Sequence, residues 1–339
     1  MEAQTARRVT DRTNPEDRDL ILATRPFAQE VRWRSWLELV IALAVAVGFY
    51  WAIFHFEPLW AKALFGVLAG LTLVRLFILY HDHQHRTILN RSPLANAFFY
   101  VFGMFMLSPP SIWKRSHDHH HKHNSKLYTT SIGSFPVVTL EKFRSLGPGE
   151  RFAYLFIRHP FAILFGYVFV FIIGMCLSSF ISNRGRHWDS LLTLVLHAAM
   201  GWAAWYFFGW QILVFAFFLP YLVTFALGSY LFYAQHNFPG VVFAHKDGWS
   251  YVKAALDSSS FMRMGPVMRW FTGNIGFHHI HHLNAHIPFY RLPEVYRAIP
   301  ALRQAKTTSL APADIVRCFR LKVWDPDRGR MIGMREMAA

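Results

Sequence analysis

The residues of this chain that could do chemistry are histidines gathered in three short segments. The sequence reads HDHQH at 81–85, HDHHH at 117–121 and HHIHH at 278–282. Neutral imidazole is a common protein ligand for iron, copper and zinc. Histidine concentrated in this way indicates a metal site.

The spacing within each segment places several imidazoles on one face of a helix. Residues three and four positions apart are neighbours on a helix surface, and the segments follow this spacing as HxxxH, HxxHH and HxxHH. The candidate ligands are His81, His85, His117, His120, His121, His278, His281 and His282. A closed zinc site takes four ligands, so eight or nine imidazoles are most simply shared by two metal ions.

Other polar residues near these segments are candidates for supporting roles. His236 comes one turn after a long apolar segment and is the candidate ninth ligand. Asp82 and Asp118 each follow the first histidine of a segment. Each carboxylate could orient an imidazole by accepting a hydrogen bond from its N–H group, or could be solvated at the surface.

Seven other histidines are not expected to be ligands of this site. Four interleave with the spaced set and should point to other helix faces, where they could orient ligands or meet solvent: His83, His119, His123 and His279. Three stand alone and read as ordinary core or surface residues: His55, His187 and His197.

The elements that must position these histidines are apolar helices. The chain has 339 residues, of which 53% are hydrophobic and 16% are charged, well below the roughly 25% charged residues of soluble domains. Four segments approach the length of about 20 residues that crosses a bilayer; they are 36–54, 59–80, 190–208 and 211–233. The segments 94–110 and 160–182 are predicted to be re-entrant or interfacial, although a six-span protein in which both cross would keep the same sidedness.

Loop charge predicts the sidedness of the spans. The linker HFEP after the first span and the turn at Gly209 and Trp210 carry no Lys or Arg, so both are predicted to lie outside. The N-terminal segment is rich in arginine, and the stretches after residues 80 and 233 are also basic; the N-terminal arginines are Arg7, Arg8, Arg12, Arg18, Arg25, Arg32 and Arg34. Every histidine segment is then predicted at the cytosolic rim of the membrane, with both termini cytosolic.

Net charge and cysteine content exclude other classes. The formal net charge is +15, which in a membrane protein is better explained by loops facing anionic lipid than by nucleic-acid binding. Cys176 and Cys318 lie far apart, so no disulfide framework or thiolate metal site is predicted.

At these residues the chain resembles the membrane fatty acid desaturases, whose pattern is three histidine boxes of this kind. The stretches FYAQHNF, MRWFTGNIGFHHIHHL, IPFYRLPEVYRAIP and LKVWDPDRGRMIG resemble a bacterial branch similar to acyl-lipid omega-6 (delta-12) desaturases. The resemblance covers roughly residues 70 to 330.

The resemblance implies a non-haem di-iron centre held by the eight box histidines, with His236 as the ninth ligand, and O2 as co-substrate. It implies an oxidoreductase that desaturates a long acyl chain carried on a lipid or a thioester. A separate electron donor, such as a ferredoxin, would be needed. Asn274, one helical turn before His278, could hydrogen-bond a water on a metal.

Two other functions remain open from the residues themselves. A hydroxylase or ketolase of a lipid, carotenoid or alkane would use the same boxes. A divalent-metal transporter would place polar ligands near the middle of the membrane, where these spans carry almost no charge.

Together these observations predict an all-α integral membrane protein with about four transmembrane helices, interfacial or re-entrant helices, and a cytosolic helical cap that holds a di-metal site. The predicted parts are a cytosolic N-terminal segment at 1–35, a membrane domain with its cap at 36–330 and a C-terminal tail at 331–339. The bacterial inner membrane is the predicted location.

Overall fold

A computed structural model describes residues 15–127 and 135–338. The N-terminal arginines Arg7, Arg8 and Arg12 lie outside the described residues. The described α-helices are α1 Pro15–Thr24, α2 Arg32–His55, α3 Leu59–Gln84, α4 Pro93–Phe105, α5 Pro110–His123, α6 Leu140–Ser145, α7 Pro148–Ile157, α8 Pro160–Leu164, α9 Ser178–Ser182, α10 Trp188–Ile212, α11 Leu219–Ala234, α12 Tyr251–Asp257, α13 Pro266–Phe271, α14 His278–Leu283, α15 Leu292–Ala298, α16 Pro312–Arg320 and α17 Met334–Ala338.

Shorter elements complete the described chain. Two π-helices occur, one at Tyr167–Leu177 between the short helices α8 and α9 and one at Leu213–Phe218 between the long helices α10 and α11. Single 3₁₀ turns occupy Arg25–Phe27, Lys246–Gly248, Phe289–Arg291 and Pro300–Gln304. The strands are β1 Phe261–Arg263, β2 Thr307–Ser309, β3 Val323–Asp325 and β4 Arg330–Ile332. The protein is therefore mainly α-helical, as predicted.

Three helical stretches of the described chain are long and apolar enough to cross a bilayer by length and composition: Arg32–His55, Leu59–Gln84 and Trp188–Ala234. The third has 47 residues, and its backbone reverses at Gly209, which has φ 80°. A built Cβ on Gly201 would lie 3.0 Å from the Phe217 ring, so the two arms pack against each other as an antiparallel pair. The predicted segments 190–208 and 211–233 are these two arms, and the number of spans remains a prediction.

The two linkers that were predicted to lie outside meet at one end of the helix bundle. Phe54, just before the HFEP linker, makes an edge-to-face contact with Phe208, just before the Gly209 turn, with ring centroids 5.2 Å apart. The first histidine segment and His236 lie at the ends of α3 and α11 that are remote from these linkers, and the other two segments meet them there. The relative sidedness that loop charge predicts is therefore consistent with the fold.

The apolar segments 94–110 and 160–182, which were predicted to be re-entrant or interfacial, form helices shorter than the three long helical stretches. Helix α4 has 13 residues, or about 20 Å at 1.5 Å per residue, which is short of a hydrocarbon core of about 30 Å. The chain then turns before Pro110, which is the first residue of α5. Proline is favoured at this position because the N–H group that it lacks would have no partner within the helix. The other segment forms α8 and then a continuous helix Tyr167–Ser182, which consists of the π-helix and α9.

Helices α3 and α11 cross in close contact because glycines face the neighbouring helix. A Cβ on Gly66 would lie 2.6 Å from the Phe215 carbonyl oxygen, and one on Gly70 would lie 2.7 Å from that of Pro220. These glycines are four residues apart, the spacing that lets membrane helices approach closely. Both helices run toward the histidine end, so this contact fixes the distance between the residues that follow them.

The four strands form two small sheets that the sequence analysis did not predict. Strand β1 pairs parallel with β2, and β3 pairs antiparallel with β4. The β3–β4 hairpin turns at Gly329, which has φ 59°, and the Asp325 carboxylate accepts hydrogen bonds from the turn amides. Strand β4 crosses the predicted boundary between residues 330 and 331, and Met331 is buried.

Candidate metal centre

Nine histidines converge at one end of the bundle and form two groups. The five-histidine group consists of His81, His85, His117, His121 and His281. The four-histidine group consists of His120, His236, His278 and His282. Within each group the candidate ligand atoms lie within 4.8 Å of one another, and every member is buried or half-buried. The nine residues are those singled out from the sequence.

The HxxHH spacing divides each box between the two groups. His117 and His121, four residues apart, enter the five-histidine group, while His120 enters the other. His278 and His282 enter the four-histidine group, while His281 enters the other. Both HxxHH boxes therefore reach both groups, whereas His81 and His85 of the first box lie in the five-histidine group. Stacking of His121 on His282, with centroids 4.3 Å apart, joins the two groups.

The distances between ring nitrogens suit a shared metal ion. The Nε2 atoms of His81 and His117 are 2.9 Å apart, and those of His278 and His236 are also 2.9 Å apart. Two nitrogen ligands at right angles on an ion with bonds of about 2.1 Å would lie about 3.0 Å apart. The buried Nε2 of His85 has no hydrogen-bond partner in the described structure. The donor set therefore fits two metal ions.

Helix ends bring these imidazoles together and favour a cation. Helix α3 carries His81 in its last turn, helix α5 carries His120 and His121 there, and His236 follows the end of α11. The carboxyl end of a helix has a partial negative charge. Three such ends meet here, so the fold itself provides a potential that attracts positive ions.

The third box is delivered by a tight loop. Gly273 and Asn274 both have positive φ, 49° and 56°, and a Cβ on Gly273 would lie 2.7 Å from Ile78. A Cβ on Gly276 would lie 2.5 Å from the Met262 carbonyl oxygen. Glycine is therefore required on both sides of Ile275, and the loop GNIGF ends where the histidine helix α14 begins.

Hydrogen bonds to Nδ1 orient two of the imidazoles. His81 Nδ1 lies 3.0 Å from Asp82 Oδ1, and His236 Nδ1 lies 2.9 Å from the Ser258 carbonyl oxygen. A proton on Nδ1 leaves the Nε2 lone pair directed into the group. Asp82 is itself held, because its Oδ2 accepts a hydrogen bond of 2.7 Å from the Phe289 amide.

Burial lowers the pKa of eight of these imidazoles and so favours their neutral form. Burial lowers the pKa of His236 to about 4. Burial and, after it, the positive charge of neighbouring imidazoles lower the pKa well below 6.5 for His85, His117, His120, His121, His278, His281 and His282. Only a neutral imidazole can bind a metal, so the environment favours the ligand form near pH 7.

The other two polar candidates have different surroundings from Asp82. Asp118 is part-exposed and accepts a hydrogen bond of 2.8 Å from Lys114 Nζ, so it lies in a surface ion pair. The Asn274 side-chain amide donates to the Phe289 carbonyl oxygen at 3.3 Å. The hydrogen bond from Asn274 to a metal-bound water remains a prediction.

The interleaving histidines lie outside both groups. His83 contacts Asn96, and His279 lies 3.0 Å from the Leu302 carbonyl oxygen. His119 and His123 stack on each other with centroids 4.0 Å apart. These positions agree with the helix faces expected from spacing.

The solitary histidines also have ordinary neighbours. His55 stacks on Trp51 at the opposite end of the bundle. His187 lies 2.8 Å from the Ser111 hydroxyl oxygen, and His197 contacts the Tyr167 hydroxyl. None of the three enters either histidine group of the described chain.

Sequence reasoning missed the residues that brace the site. Arg158 is fully buried and donates a hydrogen bond of 2.6 Å to Asn237 Oδ1, next to His236. Asp189 accepts hydrogen bonds from the Ser111 amide and hydroxyl at the start of α5. An arginine beside the apolar segment 160–182 was the available signal for the first contact, and nothing local marked the second.

An apolar cavity of about 130 Å³ reaches both histidine groups. Its lining includes His81 and His117 of the five-histidine group and His120 and His278 of the four-histidine group. From these histidines it extends between α3, α11 and the π-helix Tyr167–Leu177. No Asp, Glu, Lys or Arg lines it within the described residues, and most of its wall is apolar.

The chain matches the family model described as "Fatty acid desaturase" over residues 58–310. It is similar to the protein named "Fatty acid desaturase" of Bacillus subtilis (strain 168), with 30% identity over 270 residues, which covers 79% of this chain and 76% of that protein.

Two cyanobacterial proteins are more distantly similar. The "sn-1 oleoyl-lipid 12-desaturase" of Anabaena variabilis is 24% identical over 280 residues, covering 80% of this chain and 77% of that protein. The "sn-1 acyl-lipid omega-3 desaturase (ferredoxin)" of Nostoc sp. (strain 36) is 24% identical over 281 residues, covering 77% of this chain and 72% of that protein.

Proposed function

The chain belongs to the fatty acid desaturase family and is an oxidoreductase, and from this premise we propose that it introduces a delta-12 (omega-6) double bond into the acyl chain of a membrane lipid. The proposed site is a di-iron centre held by the five-histidine and four-histidine groups. The delta-12 position is supported by the similarity to relatives named as 12-desaturases.

The observation that carries this proposal is the apolar cavity that ends at both histidine groups. A substrate in it would place its reacting carbons beside imidazoles of both groups, including His81 and His278. An acyl chain that enters from the bilayer exchanges one apolar environment for another, so an uncharged cavity wall can admit it without a desolvation penalty. A rigid apolar wall that fixes the reacting carbons also supplies part of the rate, since orientation can contribute about 7–11 kcal/mol.

Iron bound at the two groups would supply the oxidising power that removes two hydrogens from adjacent methylenes, with O2 as oxidant and two electrons from a donor. The overall reaction converts CH2–CH2, O2, two electrons and two protons into CH=CH and two waters. The nine histidines would hold the metal, Asp82 would fix the His81 ring, and the aromatic wall of the cavity would exclude water. Phe77, Trp113 and Phe232 are part of that wall.

The donor and location belong to the same proposal. A separate ferredoxin or similar carrier would supply the electrons, by analogy with the relative whose name includes ferredoxin. We place the protein in a bacterial inner membrane, with the histidine end and both termini in the cytosol and with residues 36–330 as the catalytic domain. The basic stretches next to the histidine segments support this orientation.

Expression in a host that lacks such an activity, together with a functional electron donor, tests the proposal. Gas chromatography–mass spectrometry of the membrane acyl chains should show a new double bond at delta-12. A hydroxylated chain instead would make the protein a hydroxylase of the same superfamily. Unchanged lipids would contradict the proposal.

Histidine variants connect the activity to the site. His120→Ala and His281→Ala each remove a ligand from one group, and both should abolish the new double bond and lower the iron content of purified protein. His119→Ala is the matched control, because His119 lies on the same helix as His120 but outside both groups. Full activity in either ligand variant would refute the ligand assignment.

A further inference from the structure

Gly228 lies in the wall of the apolar cavity, and we propose that it keeps open the part of the cavity that holds the methyl end of the acyl chain. The size of the side chain at this position then sets the longest chain that the enzyme accepts. This inference rests on the proposed function, because it names how the same site selects its substrate.

Helical spacing directs position 228 into the cavity. The residues of α11 that line the cavity share one face of the helix; they are Thr224, Phe225, Gly228, Ser229 and Leu231, followed by Phe232. Gly228 lies one turn from Thr224 on one side and from Phe232 on the other. Residues four apart on a helix point the same way, so a side chain at 228 would enter the cavity.

The space in front of Gly228 is empty of protein. A Cβ built on it meets no atom within 4 Å, whereas one on Gly66 or Gly70 would lie under 3 Å from backbone of the neighbouring helix. Gly228 is therefore not needed for helix packing, and its backbone is ordinary helix. Glycine inside a helix costs about 1 kcal/mol relative to alanine, and room for a ligand accounts for tolerating that cost.

Gly228 also lies at the depth where the tail of the chain would end. It precedes His236 by eight residues, or about 12 Å along the helix axis. One turn deeper, Phe225 is only 1% exposed, and its ring centroid lies 4.2 Å from that of Phe171. Both rings line the cavity beside Gly228, so a chain that extends past position 228 would meet them one turn further on.

Substitutions that fill this space test the inference. Gly228→Ala and Gly228→Leu would be expressed beside Gly48→Leu, a control on an outward helix face where a built Cβ also meets no atom within 4 Å. Cells would be supplied with saturated fatty acids of increasing length, and the products profiled by mass spectrometry. Gly228→Leu should lower the ratio of longest-chain to shortest-chain product about tenfold, because overpacking an apolar site that the longest chain already fills forfeits about that factor. Gly228→Ala should shift the ratio less in the same direction, and the control should match wild type.

A binding measurement separates this inference from the proposed function. Without an electron donor, phosphatidylglycerols of increasing acyl length should raise the unfolding midpoint of the wild type, and long chains should lose this effect in Gly228→Leu. If wild type makes no double bond, the proposed function fails while the binding series still tests Gly228. If Gly228→Leu does not retain metal, Gly228→Val and Gly228→Ala replace it. An unchanged length preference in the largest variant that retains metal overturns the inference.

Discussion

Asp82 links a histidine of the five-histidine group to a distant loop. One carboxylate oxygen contacts His81 Nδ1, and the other accepts a hydrogen bond from the Phe289 amide. An asparagine in its place could accept only one of these hydrogen bonds, since its NH2 group would face a donor. The carboxylate thus fixes both the ring orientation and the position of the loop.

Asp82→Asn should lower activity or metal affinity about 10–100-fold, the usual effect of losing the partner that orients a metal-binding imidazole. Asp118→Asn is the matched control, because Asp118 stands in the same sequence context but pairs with Lys114 at the surface, where ion pairs contribute little. Iron content and turnover of the two variants would be measured side by side. Equal losses in both would contradict the role given to Asp82.

The comparison of these two aspartates shows how far the sequence could predict the site. The spacing of the boxes was sufficient to identify nine histidines that the structure brings together. It could not separate Asp82 from Asp118, because both follow the first histidine of a box. Only burial distinguishes them, and burial depends on which elements pack above each helix end. Arg158 was missed for the same reason, since its partner Asn237 is 79 residues away.

Helices α3 and α11 fix the distance between the first box and His236. Their closest approach is at Gly66 and Gly70, where any side chain would press on the backbone of the neighbouring helix. The short separation of the two helices therefore depends on the absence of a side chain at both glycines. A change at this contact should be transmitted to the histidine groups, because each helix ends at a ligand.

Gly70→Leu should destabilise the protein by about 1–3 kcal/mol, the usual cost of overpacking, and should lower its iron content. A Cβ at Gly70 would already lie 2.8 Å from the Val223 Cβ, so the helices must separate. Thermal unfolding in detergent and metal analysis would measure both effects, with Gly48→Leu as the control. Wild-type stability in Gly70→Leu would show that the close contact is not needed.

Long periodic elements were predictable, and short ones were not. The apolar runs predicted α2, α3 and both arms of the hairpin at Gly209 within a few residues. The strands have three residues each, too few for an alternating pattern. The π-helical hydrogen bonding of Tyr167–Leu177 within the segment 160–182 left no signal in the sequence pattern.

The whole molecule is organised around one end of the bundle. The charge-free linkers meet at the other end, as shown by the contact between Phe54 and Phe208, while three helix ends and the short helix α14 meet at the histidine end. The ligands come from positions as far apart as His81 and His282. The two groups therefore exist only when the complete fold has formed.

The most direct test of this account is an anomalous difference map collected at the iron absorption edge from crystals of the iron-loaded protein. Two peaks should appear, one in the five-histidine group and one in the four-histidine group, each beside the Nε2 atoms. A single peak, or iron bound away from the histidine groups, would contradict the account.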